Sequence, residues 1–141
     1  MSMTAENARM WFLRVMWIGI LANFALAIPT IVAPARMIAF SNLPPADPLL
    51  WPRFAGLLLV LLSIFYMPAA NDPDRYRTTA WTAVGSRLAG VLFFLTQPRT
   101  YLMLGMFDLV FLVPEFFLLL QVARTTPRSP GRGAWQPGAA A

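Results

Sequence analysis

Four long apolar stretches follow one another along the chain, separated by segments that carry prolines and charged residues. The stretches cover residues 11–33, 50–70, 78–96 and 100–123. A helix needs roughly 17–25 mostly apolar residues to cross the hydrocarbon core of a bilayer. The pattern therefore predicts an all-α protein, a four-helix transmembrane bundle.

These spans also set the predicted limits of the domain. Residues 1–9 form an N-terminal segment outside the membrane, and residues 10–123 form the transmembrane domain. Residues 124–141 are rich in proline and glycine, a composition typical of a disordered tail. We expect no cleaved signal peptide, because the first stretch is longer than the roughly 7–15 apolar residues of a signal sequence.

The arginines predict the topology of the bundle. Seven lie in the N-terminal flank, which includes the start of the first stretch, in the second connection and in the tail: Arg9, Arg14, Arg75, Arg77, Arg124, Arg128 and Arg132. Three lie in the other two connections: Arg36, Arg53 and Arg99. Because short cytoplasmic segments carry an excess of basic residues, we expect both termini in the cytoplasm.

The composition excludes several kinds of chemistry. Only 12% of the residues are charged, about half the roughly 25% of an average soluble domain. The chain contains no lysine, histidine or cysteine, so it offers no thiol, no Schiff-base amine and no imidazole ligand. The net charge of +5 comes from arginines that mostly flank apolar stretches, which is typical of membrane topology rather than of nucleic-acid binding. We predict no catalytic residue, no metal site and no nucleic-acid partner; membrane lipids are the expected surroundings.

Three charged residues nevertheless interrupt the last two stretches, Arg87 in the third and Asp108 and Glu115 in the fourth. Arg87 and Glu115 each lie eight residues, or about 12 Å, from the same predicted end of the bundle. The connection at residues 97–99 is so short that the two helices must be antiparallel neighbours. We therefore expect a salt bridge between Arg87 and Glu115.

Asp108 lies two helical turns before Glu115 and shares its helix face. We expect Asp108 to find a partner in Asn23, Arg53 or Arg99, and Tyr66 and Ser63 are further polar candidates. The predicted buried polar cluster, which is also the candidate ligand site, consists of Asn23, Arg53, Tyr66, Arg87, Asp108 and Glu115. The small residues expected around Arg87, which would let another helix approach closely, are Gly85, Ser86, Ala89 and Gly90.

Two hypotheses explain such a cluster. In the first, the polar pairs are structural pins that fix how the helices pack. In the second, they line a polar cavity for a ligand, a proton or a quinone head group, because charged residues at bilayer depth are rare and usually functional.

Part of the chain resembles a known family. Arg53 and Gly56 open the second apolar helix, Tyr66 lies near its end, and Arg87 and Gly90 lie in the third. In these residues and in its four spans the chain resembles the small DoxX-like bacterial membrane proteins. The resemblance implies a location in the bacterial cytoplasmic (inner) membrane and an accessory or quinone-associated role beside redox enzymes.

The leading functional hypothesis is therefore a non-catalytic accessory subunit that anchors or stabilises a redox- or quinone-linked membrane complex. Its polar cluster would hold a quinone or a lipid, and its partners would be redox subunits, other membrane subunits or further copies of itself. The alternative is a small proton-coupled transporter or permease that acts as an oligomer. A lipid-modifying enzyme is less favoured, because Asp108 and Glu115 are about 10 Å apart along their helix.

Overall fold

The structure, a computed structural model, describes residues 4–125 and confirms the all-helical fold. Its helices are α1 (Ala5–Val32), α2 (Pro34–Phe40), α3 (Leu50–Asn71), α4 (Arg77–Leu95) and α5 (Leu102–Thr125). A 3-10 turn, Arg99–Tyr101, precedes α5, and no strand occurs within the described part of the chain. The helices α1, α3, α4 and α5 are long and apolar enough to cross a membrane, as expected for a multi-pass membrane protein.

The first helix begins earlier than the first predicted span. The side chain of Thr4 accepts a hydrogen bond from the backbone N–H of Asn7 and caps the helix, so most of the predicted N-terminal segment is helical. At the other end α5 continues to Thr125. The rest of the predicted disordered tail, like residues 1–3, lies outside the described residues.

The connection between α1 and α3 contains a helix that the apolar pattern did not predict. Pro29 lies inside the last turn of α1, and Pro34 occupies the start of α2. Proline is favoured at the first helical position because its missing N–H has no partner there in any case. The chain therefore ends α1 at Val32 and starts α2 after a single residue, Ala33.

The long helices form a ring in which α1 packs against α3 and α5, and α4 packs against α5 and less extensively against α3. The α1–α3 contact is close at Gly56. A Cβ atom there would lie 2.9 Å from Cγ1 of Ile31 and 3.1 Å from the carbonyl oxygen of Ala27. Small residues at membrane helix interfaces allow such close approach, which increases the van der Waals contact that holds the helices together.

At one end of the ring α1 and α4 begin and α3 and α5 finish; we call this the N-terminal end of the bundle. There Arg9 of α1 forms ion pairs with Asp72 at 3.5 Å and with Asp74 at 3.2 Å, both in the α3–α4 connection. All three side chains are substantially exposed, so the pairs contribute little to stability. They show that the start of α1 lies beside the end of α3.

Candidate functional site

The centre of the bundle contains the predicted salt bridge between α4 and α5. Arg87 Nε donates a hydrogen bond to Glu115 Oε2 at 2.9 Å. The side chains are 3% and 0% exposed, so both lie in the bundle interior. The prediction for this pair is confirmed.

Arg87 also binds the second acid of α5. Its Nη1 atom lies 3.4 Å from Asp108 Oδ1, and the Asp108 side chain is 24% exposed. The expectation that Asp108 pairs with Asn23, Arg53 or Arg99 is therefore wrong. A single guanidinium carries donors on several sides, and here it reaches both carboxylates across two turns of α5.

An aromatic ring fills the space between the two acids. Phe111 follows Asp108 by three residues and precedes Glu115 by four, so the three side chains form one stripe along α5. The guanidinium carbon of Arg87 lies 4.8 Å from the centre of the Phe111 ring, a cation–π distance. The sequence analysis missed Phe111, although its spacing from the two acids was the available signal.

Two glycines make room for the ionic side chains. A Cβ atom on Gly19 of α1 would lie 2.5 Å from Arg87 Nη2 and 3.3 Å from Glu115 Oε1. A Cβ atom on Gly90 of α4 would collide with Asp108 Oδ2. Gly85, which we expected beside Arg87, instead has no neighbouring atom within 4 Å of the position of a Cβ. We define the ionic cluster as Arg87, Asp108 and Glu115, with Phe111, Gly19 and Gly90 as the residues packed around it.

Asn23 lies one turn after Gly19, on the same face of α1, and is 2% exposed. Its Oδ1 atom has no hydrogen-bond partner among the described residues, and the same holds for Arg87 Nη2 and Glu115 Oε1. The structure thus places Asn23 in the bundle interior but does not pair it with Asp108. Unpaired polar groups of this kind are uncommon in protein interiors, and they concentrate here near the ionic cluster.

Of the other two predicted site residues, Tyr66 is buried and Arg53 is exposed. Tyr66 of α3 is buried, and its hydroxyl is hydrogen-bonded to the hydroxyl of Ser86, the residue before Arg87 on α4. This contact connects α3 to α4 beside the ionic cluster. Arg53 is exposed in the first turn of α3 and takes no part in the hydrogen bonds or ion pairs of the cluster, so its inclusion in the buried set was wrong.

The charges of the ionic cluster do not cancel when both acids are ionised. One guanidinium then faces two carboxylates, which gives a formal charge of −1, and binding of one proton makes the cluster neutral. The Glu115 side chain is fully buried, whereas the Asp108 side chain is partly exposed at the surface of the bundle. Asp108 is therefore the acid of the cluster that lies nearer the surface of the bundle.

The fold and the cluster define a multi-span helical bundle with a charged centre. Comparisons with protein-family models, curated proteins and solved structures gave no match. The resemblance to DoxX-like proteins stays a prediction, and the proposed function rests on the geometry of the ionic cluster.

Proposed function

We propose that the chain is a non-catalytic accessory subunit that stabilises a complex in the bacterial cytoplasmic membrane, with both termini in the cytoplasm. The observation that supports this proposal is the ionic cluster, in which Arg87 of α4 binds both acids of α5. Arg87 is held by two carboxylates and an aromatic ring of α5, and it packs against Gly19 of α1. Such an arrangement locks three helices together, which suits a scaffold.

The packing also bears on the quinone or lipid that the sequence analysis placed at this cluster. Guanidinium and carboxylate atoms fill the space beside Gly19, and the Asp108 carboxylate fills the space beside Gly90. A quinone ring between Arg87 and its acids would have to displace these atoms. The cluster therefore fits a structural lock better than a ring-binding site, and a head group would have to approach from the exposed side of Asp108.

The outward face of α3 supports the proposal that the chain binds another membrane subunit. Its large apolar side chains point away from the ring: Leu57, Leu58, Leu61, Leu62 and Phe65. The inward face of the same helix is built from small residues and Tyr66. We propose that the outward face contacts another membrane subunit or a second copy of the chain, and the family resemblance favours a redox-linked subunit.

A cross-linking experiment tests the proposal in intact membranes. A photoreactive amino acid replaces Leu61 on the outward face of α3 or, as a matched control, Val110 on the exposed face of α5. We expect the α3 position to form one discrete adduct with a membrane protein, identified by mass spectrometry, and the α5 position to form only lipid adducts. Lipid adducts alone at both positions would argue against an accessory role.

A second candidate function, proton-coupled transport, is favoured by the partial exposure of Asp108 and by the excess of one acid in the cluster. Asp108 would then take up and release the proton. In proteoliposomes that contain a pH-sensitive dye, we expect an imposed pH gradient to drive a substrate flux together with a proton flux, and Asp108→Asn to abolish both. Glu6→Gln, which changes an exposed acid in the first turn of α1, is the control and should leave the flux intact. A flux that Asp108→Asn does not change would exclude this candidate.

A further inference from the structure

A groove lies at the N-terminal end of the bundle, between α1 and the last turn of α3. Its walls include Trp11, Arg14, Trp17 and Ile18 of α1 and Asn71 of α3. Trp11 and Ile18 are about half exposed, so the groove opens sideways, toward the position of the lipids.

Arg14 is the charged group of this groove. Its guanidinium carbon lies 5.1 Å from the centre of the Trp11 ring, so the side chain is stacked on the indole. No carboxylate within residues 4–125 pairs with Arg14, whereas Arg9, one turn and a half earlier, is paired with Asp72 and Asp74. The Arg14 guanidinium is thus held against the Trp11 ring, and no carboxylate of the described residues forms an ion pair with it.

The polar and apolar walls of the groove are arranged along the membrane normal. Arg14 is the last charged residue before the uncharged stretch at residues 15–35, which places it at the boundary of the hydrocarbon. Asn71 ends α3 beside it. Trp17 and Ile18 continue the groove about 5 Å deeper along α1. This order matches a lipid whose phosphate lies at the level of Arg14 and Asn71 and whose acyl chain lies at the level of Trp17 and Ile18.

We propose that this groove is a binding site for an anionic phospholipid. The phosphate accepts hydrogen bonds from Arg14, and an acyl chain lies along Trp17 and Ile18. The charge of the site selects the class of lipid: an anionic head group keeps a net negative charge beside the unpaired guanidinium, whereas a choline head group brings its own cation. The inference is independent of the proposed accessory function.

Native mass spectrometry of the delipidated protein tests the proposal by titration with phosphatidylglycerol and with phosphatidylcholine. We expect the wild type to bind phosphatidylglycerol about fivefold more tightly, the effect of one arginine near a lipid charge. Arg14→Gln should abolish this preference. Ile18→Ala should weaken the binding of both lipids and leave their ratio unchanged, because it shortens only the apolar wall.

The matched control is Arg124→Gln, which removes an exposed arginine at the same end of the bundle but on α5. It should keep the wild-type preference. The same loss in Arg124→Gln as in Arg14→Gln would overturn the proposal, since a diffuse basic surface would then explain the selectivity. Equal binding of the two lipids by the wild type would overturn it as well.

Discussion

Arg87→Met is expected to lower the free energy of unfolding of the bundle by about 3–5 kcal/mol, the usual loss when one partner of a buried ion pair is removed. Methionine keeps much of the length of the side chain but removes the cation. Glu115, which is fully buried, and Asp108 are then left without a counter-charge. The measurement is unfolding in mixed detergent micelles. Unfolding is followed by tryptophan fluorescence, to which Trp81 of α4 contributes a signal sensitive to packing because it lies edge-on against Phe116 of α5, with ring centres 6.3 Å apart.

The control for this variant is Arg77→Met, which removes an exposed arginine at the start of the same helix. It should change stability by no more than about 0.5 kcal/mol. Replacing the whole ionic cluster, with Arg87→Met, Asp108→Asn and Glu115→Met combined, should recover most of the loss, because no uncompensated charge is left. A single Arg87→Met variant as stable as Arg77→Met would contradict the assignment of Arg87 as the central lock.

The triple variant also separates the two hypotheses for the cluster. A folded triple variant that still forms the α3 cross-link identifies the cluster as a structural pin. A folded triple variant that has lost a measured proton flux identifies the cluster as a transport site. The combined variant is used because Arg87→Met alone lowers the stability of the bundle, so a function lost in that variant could have either cause.

The contact between Arg87 and Glu115 was predictable because it depends on quantities that a sequence contains. The connection after α4 is so short that α4 and α5 must be antiparallel neighbours, and the rise per residue gives the depth of each side chain. The fold class followed in the same way, from the lengths of the apolar stretches. Neither inference needed the rotation of a helix about its axis.

The errors at the site come from that rotation and from the order of the helices in the ring. Asp108 was assigned to Asn23, Arg53 or Arg99 because the sequence does not show that the Arg87 guanidinium reaches past the Phe111 ring to a second carboxylate. Arg53 was included because the hydrophobic pattern does not tell which side of the first turn of α3 faces inward. Gly19 was not considered, since nothing in the first apolar stretch shows that α1 packs against α5 at that level.

Gly19→Ala is expected to destabilise the bundle by about 1–3 kcal/mol, the usual cost of adding a methyl group to a closely packed interior. The new Cβ would lie 2.5 Å from Arg87 Nη2. The guanidinium cannot move aside freely, because Glu115 and Asp108 hold it in place. Gly85→Ala is the matched control. It adds the same methyl group where no atom lies within 4 Å, so it should be neutral or stabilise α4 by up to about 1 kcal/mol.

A double-mutant cycle shows whether the cost at Gly19 arises from Arg87 itself. Because methionine lacks the Nη2 atom, Gly19→Ala should cost much less in the Arg87→Met background than in the wild type, giving an interaction energy of about 1 kcal/mol or more. The corresponding cycle with Gly85→Ala should be additive, since Gly85 has no neighbour to lose. If Gly19→Ala costs the same in both backgrounds, the glycine serves only the approach of α1 to the backbone of its neighbours. An interaction energy of about 1 kcal/mol or more means instead that α1 packs directly against the Arg87 guanidinium, and that the missing side chain of Gly19 leaves the space this group occupies.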